Sequence, residues 1–292
     1  MTDTQLNYSF SGHDTFACKH FWLKKGYEYS KSQQKFANPE AVVALGVGKN
    51  MVNSIQFWLK AFGLLNEHTL MPIAAYLLDD EGKDPYMEDI GTLLLLHYQL
   101  IKTKRASIYS LLFNDYFKDK FDFNKERLAV FLSKKAPKIV RASIDKDIEV
   151  LLRNYLKPRK TDKVESIEEA FSGLFSDLPL IEKVQVMRDG KKEDIFTLNV
   201  SAKKEIPWQI ILYTILDNPL FEGNKSISLR DLRYAGDSPG LVFGINKEGL
   251  YAKIEEMQQH CPYLVFTETA GNPVLQFKEI PNKQDILNEY YQ

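Results

Sequence analysis

Two glycines inside an apolar segment constrain the fold of this chain more than any other feature. The segment runs from Ala41 to Gly63 and reads AVVALGVGKNMVNSIQFWLKAFG. Apolar residues recur at helical spacing before Gly46 and after Gly48, and glycine accepts the backbone angles that a tight reversal needs. The segment therefore predicts two helices joined by a short turn. The second helix is predicted to bury one face, formed by Val52, Ile55, Leu59 and Phe62.

The opposite face of that second helix is polar and basic. No Asp or Glu occurs between Ala41 and Asn66, in a chain of 292 residues whose formal net charge is only −1. A second helix of this kind is typical of proteins that read the DNA major groove, where Asn and Gln pair with adenine and Lys reaches guanine or phosphate. We expect it to contact duplex DNA through Lys49, Asn50, Asn53, Gln56 and Lys60. The alternative is a helical hairpin in a protein core whose polar residues are merely solvated.

Basic residues elsewhere extend the predicted DNA surface. Lys24 and Lys25 lie on a predicted short helix and are expected to meet phosphates. Arg159 and Lys160 belong to a basic stretch from Arg153 to Lys163 in which Asp162 is the single acidic residue. Phosphate contact and simple solvation of a helix end are both open for that stretch.

The glycine pair does not form a phosphate-binding loop. Such a loop needs a glycine five residues before its Gly-Lys pair and a Ser or Thr directly after the lysine. Val43 and Asn50 occupy those two positions. The stretch before the glycines is also helical in pattern rather than a strand, so nucleotide binding is not expected here.

A cluster near the N-terminus, formed by His13, Asp14, Cys18 and His20, contains residue types that bind zinc. No second cluster completes a set of four ligands, so we expect a polar turn, with no metal and no cofactor. Pairing of His13 with Asp14 would orient an imidazole for acid–base chemistry. No nucleophile lies nearby in the sequence, which leaves a nuclease as the weakest of the functional alternatives.

Composition predicts a soluble, cytoplasmic protein. The two cysteines, Cys18 and Cys261, are far apart and do not suggest a disulfide framework. The first ten residues lack a signal-peptide pattern. The longest apolar run, from Thr92 to Ile101, is too short to span a bilayer, so no membrane partner is expected.

The chain is predicted to be mainly α within the α+β class. We expect winged-helix-like N- and C-terminal units around a central helical region, with small β-hairpins. The predicted helices of the central region are 86–102, 106–118, 124–135 and 144–156, and 166–176 is one more short helix. Hairpin turns are predicted at Asp189-Gly190 and at Ala270-Gly271-Asn272. The predicted units are 1–80, 81–165, 166–205 and 206–292.

The C-terminal unit is expected to contact protein rather than DNA. Its predicted recognition helix, from Asn246 to Gln259, carries two lysines against three glutamates, which suits phosphate poorly. This unit therefore supports a second hypothesis, that the protein is an adaptor.

Four phrases of the chain resemble an uncharacterised prokaryotic family, domain of unknown function four thousand and seven. They are FSGHDTFACKHFWLKKGYEY, AVVALGVGKNMVNSIQFWLKAFGL, SIDKDIEVLLRNYL and GDSPGLVFGINKEGLYAKI. His13 and the stretch 46–54 match the family pattern, whereas members often carry other residues at the positions of Cys18 and His20. The resemblance implies a setting in phage-defence or DNA-phosphorothioation islands, beside sulfurtransferase-like proteins of the PAPS-reductase type and ATPases. It implies no catalytic residues.

We therefore expect a non-enzymatic component of a bacterial phage-defence or DNA-modification system that binds double-stranded DNA. The first alternative is an adaptor that recruits a PAPS-reductase-like protein or an ATPase of the same operon. The weaker alternative is a nuclease that uses His13 and Asp14.

Overall fold

The computed structural model describes residues 8–157, 173–188, 190–269 and 271–292. The chain divides into two compact units. The first unit comprises Met1–Leu112 and Asp122–Thr197, and the second comprises Phe113–Phe121 and Leu198–Gln292. Described residues of the predicted N-terminal unit and of the predicted central helical region lie in the first unit, except Phe113–Phe121, which belongs to the second.

Helices dominate and the sheets are small and antiparallel, which confirms the α+β class. The helices of the first unit are α1 (His20–Lys31), α2 (Ala41–Leu45), α3 (Lys49–Ala61), α4 (Pro72–Leu78), α5 (Ile90–Thr103), α6 (Ser107–Ser110), α7 (Lys125–Lys135) and α8 (Arg141–Tyr155). A π-helical turn, Leu111–Tyr116, follows α6. The strands are β1 (Leu65–Asn66), β2 (Thr69–Leu70), β3 (Asp122–Phe123), β4 (Ile181–Arg188) and β5 (Lys191–Leu198).

The second unit contains α9 (Trp208–Asp217), β6 (Ser226–Ser228), α10 (Leu229–Tyr234), α11 (Pro239–Phe243), α12 (Lys247–His260), β7 (Leu264–Thr269), β8 (Asn272–Phe277) and α13 (Lys283–Tyr290). Its strands form a sheet in the order β6-β8-β7, with both neighbouring pairs antiparallel. Helix α9 packs against α12 and α13.

The predicted helix 86–102 starts too early. Asp84, which with Pro85 has the sequence pattern of a helix start, instead accepts hydrogen bonds at its carboxylate from the backbone N–H groups of Glu88 and Asp89. Helix α5 starts at Ile90, and the carboxylate of Asp89 caps it by accepting from Gly91 and Thr92. Both acids suit a helix start, and the turn between them decides which one caps it.

Most of the predicted short helix 166–176 lies outside the described residues, and its described part, 173–176, is not helical. Asp189 and Ala270, which begin the two predicted hairpin turns, also lie outside them. On either side of those residues, β4 and β5 are neighbours in one sheet, and β7 and β8 are neighbours in another.

The two helices and the turn predicted between Ala41 and Gly63 are present. Gly46 ends α2 in the left-handed conformation, with φ of 66° and ψ of 33°. Gly48 precedes α3 with extended backbone angles. In the second unit, Gly244 between α11 and α12 has the same φ of 66° and ψ of 33°. In each unit, a glycine in this left-handed conformation thus ends a short helix just before a longer helix begins.

Replacing Gly46 with alanine is expected to lower the free energy of unfolding by about 1–2 kcal/mol, the usual penalty for a left-handed residue that carries a Cβ. No atom lies within 4 Å of a Cβ built at Gly46 or at Gly48, so backbone conformation alone separates the two positions. Gly48→Ser is the matched control, because its φ is −65° and serine is a favoured helix N-cap. Urea denaturation of both variants measures the difference, and an equal loss in both would contradict this explanation.

The predicted core face of α3 is confirmed. Val52, Ile55, Leu59 and Phe62 are each at most 2% exposed. Trp58 is also fully buried, and its indole N–H donates to the carbonyl of Phe16 at 3.1 Å. This face of α3 packs against α1 and α5.

Residues 8–18 form an N-terminal strap that joins elements distant in sequence. The strap residue Ser9 exchanges two hydrogen bonds with Ser107 at the start of α6. The backbone N–H of Cys18 donates to the side-chain carbonyl of Asn154 on α8, and the carbonyl of Cys18 accepts from the N–H of Leu174. The position of the strap therefore depends on contacts with residues that come much later in the sequence of the first unit.

Candidate nucleic-acid interface

The five side chains predicted to contact DNA all lie on α3. Lys49, Asn50 and Asn53 are exposed, and Gln56 and Lys60 are half-buried. Positions 49, 53, 56 and 60 are spaced by four, three and four residues, so they follow one side of the helix. The helix thus brings the predicted residues together while its opposite side is buried.

The two lysines of α3 bring uncompensated positive charge to this surface. Among the residues that the structure describes, no carboxylate forms an ion pair with Lys49 or Lys60. Backbone N–H groups at the start of α3 add a partial positive charge near Lys49. The start of the exposed face therefore favours an anion most strongly, and Lys60 adds one positive charge near the other end.

An acidic residue from the strap reaches this face, which the sequence did not indicate. The amide Nδ2 of Asn53 donates to the carboxylate Oδ2 of Asp14 at 3.2 Å. The acid-free stretch of sequence therefore has an acidic neighbour in space.

His13 does not pair with Asp14, so the pairing considered from the sequence is wrong. Its Nε2 lies 3.2 Å from Oδ1 of Asp147 on α8, and its Nδ1 accepts the backbone N–H of Thr15 at 3.2 Å. The ring is stacked on Trp58 at 5.9 Å between centroids and is 1% exposed. A buried imidazole in this position holds the strap against α3 and α8, and it does not face a substrate in solvent.

Lys24 and Lys25 have different environments. Lys24 is 11% exposed, and its ammonium donates to Glu28 at 2.8 Å, Asp80 at 2.7 Å and the carbonyl of Leu78 at 2.8 Å. These acceptors compete with the phosphate contact expected from the sequence. Lys25 is exposed, and among the described residues its ammonium donates only to the carbonyl of Leu45, at 3.3 Å. Both lysines line an open groove of about 510 Å³ beside the end of α2.

Asp79, at the end of α4, belongs to the same acidic neighbourhood. The hydroxyl of Tyr27 donates to its carboxylate at 2.6 Å, and Lys31 lies at 2.9 Å. The hydrogen bonds from Tyr27 and then from Lys31 lower the pKa of Asp79 from 3.8 to about 2. The carboxylate therefore stabilises the fold while it is ionised.

An Asp79→Asn variant is expected to be less stable than wild type at neutral pH. Because folding lowers the pKa, the contribution of Asp79 is fully present above about pH 4 and is lost as pH falls through about 2. The difference in thermal midpoint between wild type and the variant should shrink over that window. Glu81→Gln, which removes an exposed carboxylate of the same loop, is the control and should show no such trend.

The remaining predicted residues add no described contact to this surface. Arg159 and Lys160 lie outside the described residues. Burial raises the pKa of the Cys18 thiol well above its ordinary value and lowers the pKa of His20.

Within the described ranges, no group of three or more His, Cys, Asp or Glu side chains is arranged to hold a metal ion. No helix there is long and apolar enough to cross a membrane.

In the second unit, α12 has a mixed surface. Lys253 is buried and donates to Glu256 at 2.8 Å and to the carbonyl of Lys204 at 3.0 Å. The exposed charges of α12 are those of Lys247, Glu248 and Glu255. With one of its two lysines buried in this way, α12 offers little free positive charge to a phosphate.

Sequence reasoning missed two residues of α8 that shape the α3 surface. The carboxylate of Asp147 lies 3.2 Å from Nε2 of His13 and accepts the backbone N–H of Ser11. The guanidinium of Arg153 donates to the carbonyl of Thr15. Asp147 is 2% exposed and lies at helical spacing with the buried Ile144 and Leu151, so an acid on an apolar face was the available signal. Arg153 carries no such signal. Only the packing of the strap on α8 shows their role.

Comparisons with known proteins identify relatives of the whole chain. Two solved structures are 29% identical to it, and each match covers 98% of this chain and 88% of the other. They are described as "Magnesium ion-bound SspB crystal structure", with a TM-score of 0.83, and "SspB crystal structure", with a TM-score of 0.79. No curated protein matches the chain. A family model described as "Protein of unknown function (DUF4007)" matches residues 10–291, and the chain therefore belongs to that family.

Proposed function

We propose that this protein binds duplex DNA through the outward face of α3. The observation that carries the proposal is the pair of uncompensated lysines, Lys49 and Lys60, on either side of Asn50, Asn53 and Gln56. The resemblance of its motifs to the family supports a setting in bacterial phage defence or DNA modification of the phosphorothioation type.

The dimensions of α3 suit the major groove. At 1.5 Å per residue, Lys49 and Lys60 are about 16 Å apart along the helix axis. The groove is about 12 Å wide, so lysines at the two ends reach phosphates on opposite sides while the amides between them face base edges. Phosphate contacts position the helix and the amides give it sequence preference.

A fluorescence anisotropy titration of the full chain with random-sequence duplex DNA, repeated over a salt series, tests the proposal. Two phosphate contacts give a slope of about −2 in log affinity against log salt. Absence of salt-dependent binding would refute the proposal. A single-stranded oligonucleotide of the same length is the control for duplex recognition.

A protein-adaptor role for α12 is the second candidate, and its mixed surface favours it. Glu248 and Glu255 are exposed, whereas Lys253 is buried. We expect Glu248→Lys with Glu255→Lys to reduce recovery of a PAPS-reductase-like or ATPase partner when the full chain is purified with its operon. Unchanged recovery would count against this surface.

The nuclease alternative draws support from the magnesium ion in the description of one similar structure. The residues named for it fit poorly, since His13 is 1% exposed and pairs with Asp147. We therefore derive no cleavage step. A magnesium-dependent nuclease assay of wild type beside His13→Ala decides whether His13 has any part in such an activity, and equal rates would remove it.

A further inference from the structure

We infer that Asp14 determines the specificity of the α3 surface, by selecting an exocyclic amino group of cytosine or adenine beside Asn53 and by repelling poorly fitting phosphates. This inference rests on the proposed DNA binding of α3. It assigns a discriminating role to a strap residue that lies outside the helix itself.

The backbone of the strap is unusual where it meets α3. Ser11, Asp14 and Thr15 have φ values of 63°, 43° and 69°, in the left-handed region that residues with a side chain seldom adopt. Gly12 lies between them, and a Cβ at that position would come within 2.4 Å of the ring of Phe57. Unfavourable backbone of this kind clusters at functional sites, where surrounding contacts hold it in place.

Those surrounding contacts fix the position of Asp14. On one side of it, His13 is buried against Trp58 and pairs with Asp147, which also accepts the N–H of Ser11 at 2.8 Å. On the other side, Arg153 donates to the carbonyl of Thr15. With both neighbours anchored, the carboxylate of Asp14 stays beside α3 rather than swinging into solvent.

The hydrogen bond between Asp14 and Asn53 orients both groups. Only the N–H side of an amide can face a carboxylate, so Asn53 directs one N–H to Asp14 at 3.2 Å. Its carbonyl oxygen and second N–H are left for a ligand. The carboxylate retains acceptor capacity, and an acidic side chain in the major groove accepts from the amino group of cytosine.

The charge of Asp14 has a second effect on a DNA surface. A carboxylate next to Asn53 repels backbone phosphates, so it weakens every complex in which α3 is not seated with a base amino group opposite it. Asp14 is therefore expected to reduce non-specific affinity. It should also increase the ratio of the affinity for a preferred sequence to the affinity for random DNA.

Asp14→Asn is the test variant, because asparagine also tolerates the left-handed backbone. The change removes the charge and replaces one acceptor oxygen with an amide donor. Sites are first selected from a random duplex library with wild type, and anisotropy then compares the selected duplex with the random pool. We expect the variant to bind the pool about three-fold more tightly and to lose about ten-fold in preference for the selected site, the range of one base contact. Asp122→Asn is the charge control, because it removes an exposed carboxylate of β3 that pairs with Arg127 of α7.

A second variant tests the same inference by removing the side-chain amide of Asn53 that bonds Asp14. Asn53→Ala should lose preference at the same base position, and the double variant should lose little more than either single one, because the two residues act as a pair. Equal thermal midpoints for wild type and Asp14→Asn show that the change concerns recognition rather than folding.

The outcomes separate the two proposals. Normal salt-dependent binding by wild type, with Asp14→Asn and Asp122→Asn selecting the same sites at the same affinity, overturns the role of Asp14 alone. Absence of salt-dependent binding by wild type and by every variant overturns the proposed function, and the role of Asp14 with it.

Discussion

Reversing the charge of Lys49 and Lys60 together is expected to lower affinity for duplex DNA about 100-fold at roughly 0.1 M salt, because two phosphate contacts become two repulsions. The salt slope should fall by about 2, one for each lost contact. The measurement is anisotropy of Lys49→Glu with Lys60→Glu beside wild type over a salt series. Lys49 is exposed and Lys60 is half-buried, both outside the buried face of α3, so little loss of stability is expected.

Lys134→Glu with Lys138→Glu is the matched control for this double reversal. Both lysines are exposed, at the end of α7 and just after it, and the change in net charge is the same. Affinity should change by less than about three-fold, since these lysines are not part of the proposed α3 contact and exposed charges that touch no phosphate are largely screened by salt. Equal losses in the two double variants would mean that total charge, rather than α3, governs binding.

Replacing Trp58 with alanine is expected to lower the free energy of unfolding by about 3–5 kcal/mol, the usual range for a buried aromatic residue. The side chain is fully buried, stacks on His13, and lies 5.8 Å from Phe62 and 6.1 Å from Tyr109 between ring centroids. Its loss leaves a cavity and removes the partner of the Phe16 carbonyl. Urea unfolding followed by far-ultraviolet circular dichroism measures the change.

Trp58→Phe separates packing from hydrogen bonding at this position. Phenylalanine keeps an aromatic ring but cannot donate to the carbonyl of Phe16, so a loss of about 1–2 kcal/mol is expected. A Trp58→Ala variant that loses less than about 1 kcal/mol would contradict the role of Trp58 as the centre of this core.

Local structure around α3 could be predicted from the sequence because its causes are local. Helical spacing placed Val52 and Ile55 on the buried side, and the glycine at position 46 marked the turn. The start of α5 was not predictable in this way. Asp84 and Asp89 are both suitable caps, and a turn between them assigns the role to Asp89.

In the candidate site, too, the features with local causes were predictable and the contacts between distant residues were not. The residues of α3 share a face because a helix repeats every 3.6 residues. The contacts of Asp14 with Asn53, of His13 with Asp147 and of Lys24 with Asp80 join positions far apart in the chain. No periodicity encodes such pairs, so the acidic neighbour of α3 and the neutralisation of Lys24 appear only in three dimensions.

The N-terminal strap also determines when this surface exists during synthesis. Residues of the strap pair with Asp147, Asn154 and Leu174, which leave the ribosome long after α3. Contacts of such long sequence separation form late in folding. A growing chain that ends before α8 therefore displays α3 without the anchored carboxylate of Asp14. The complete surface, with the lysines of α3 and the carboxylate of Asp14 all in place, therefore forms only when the first unit is complete.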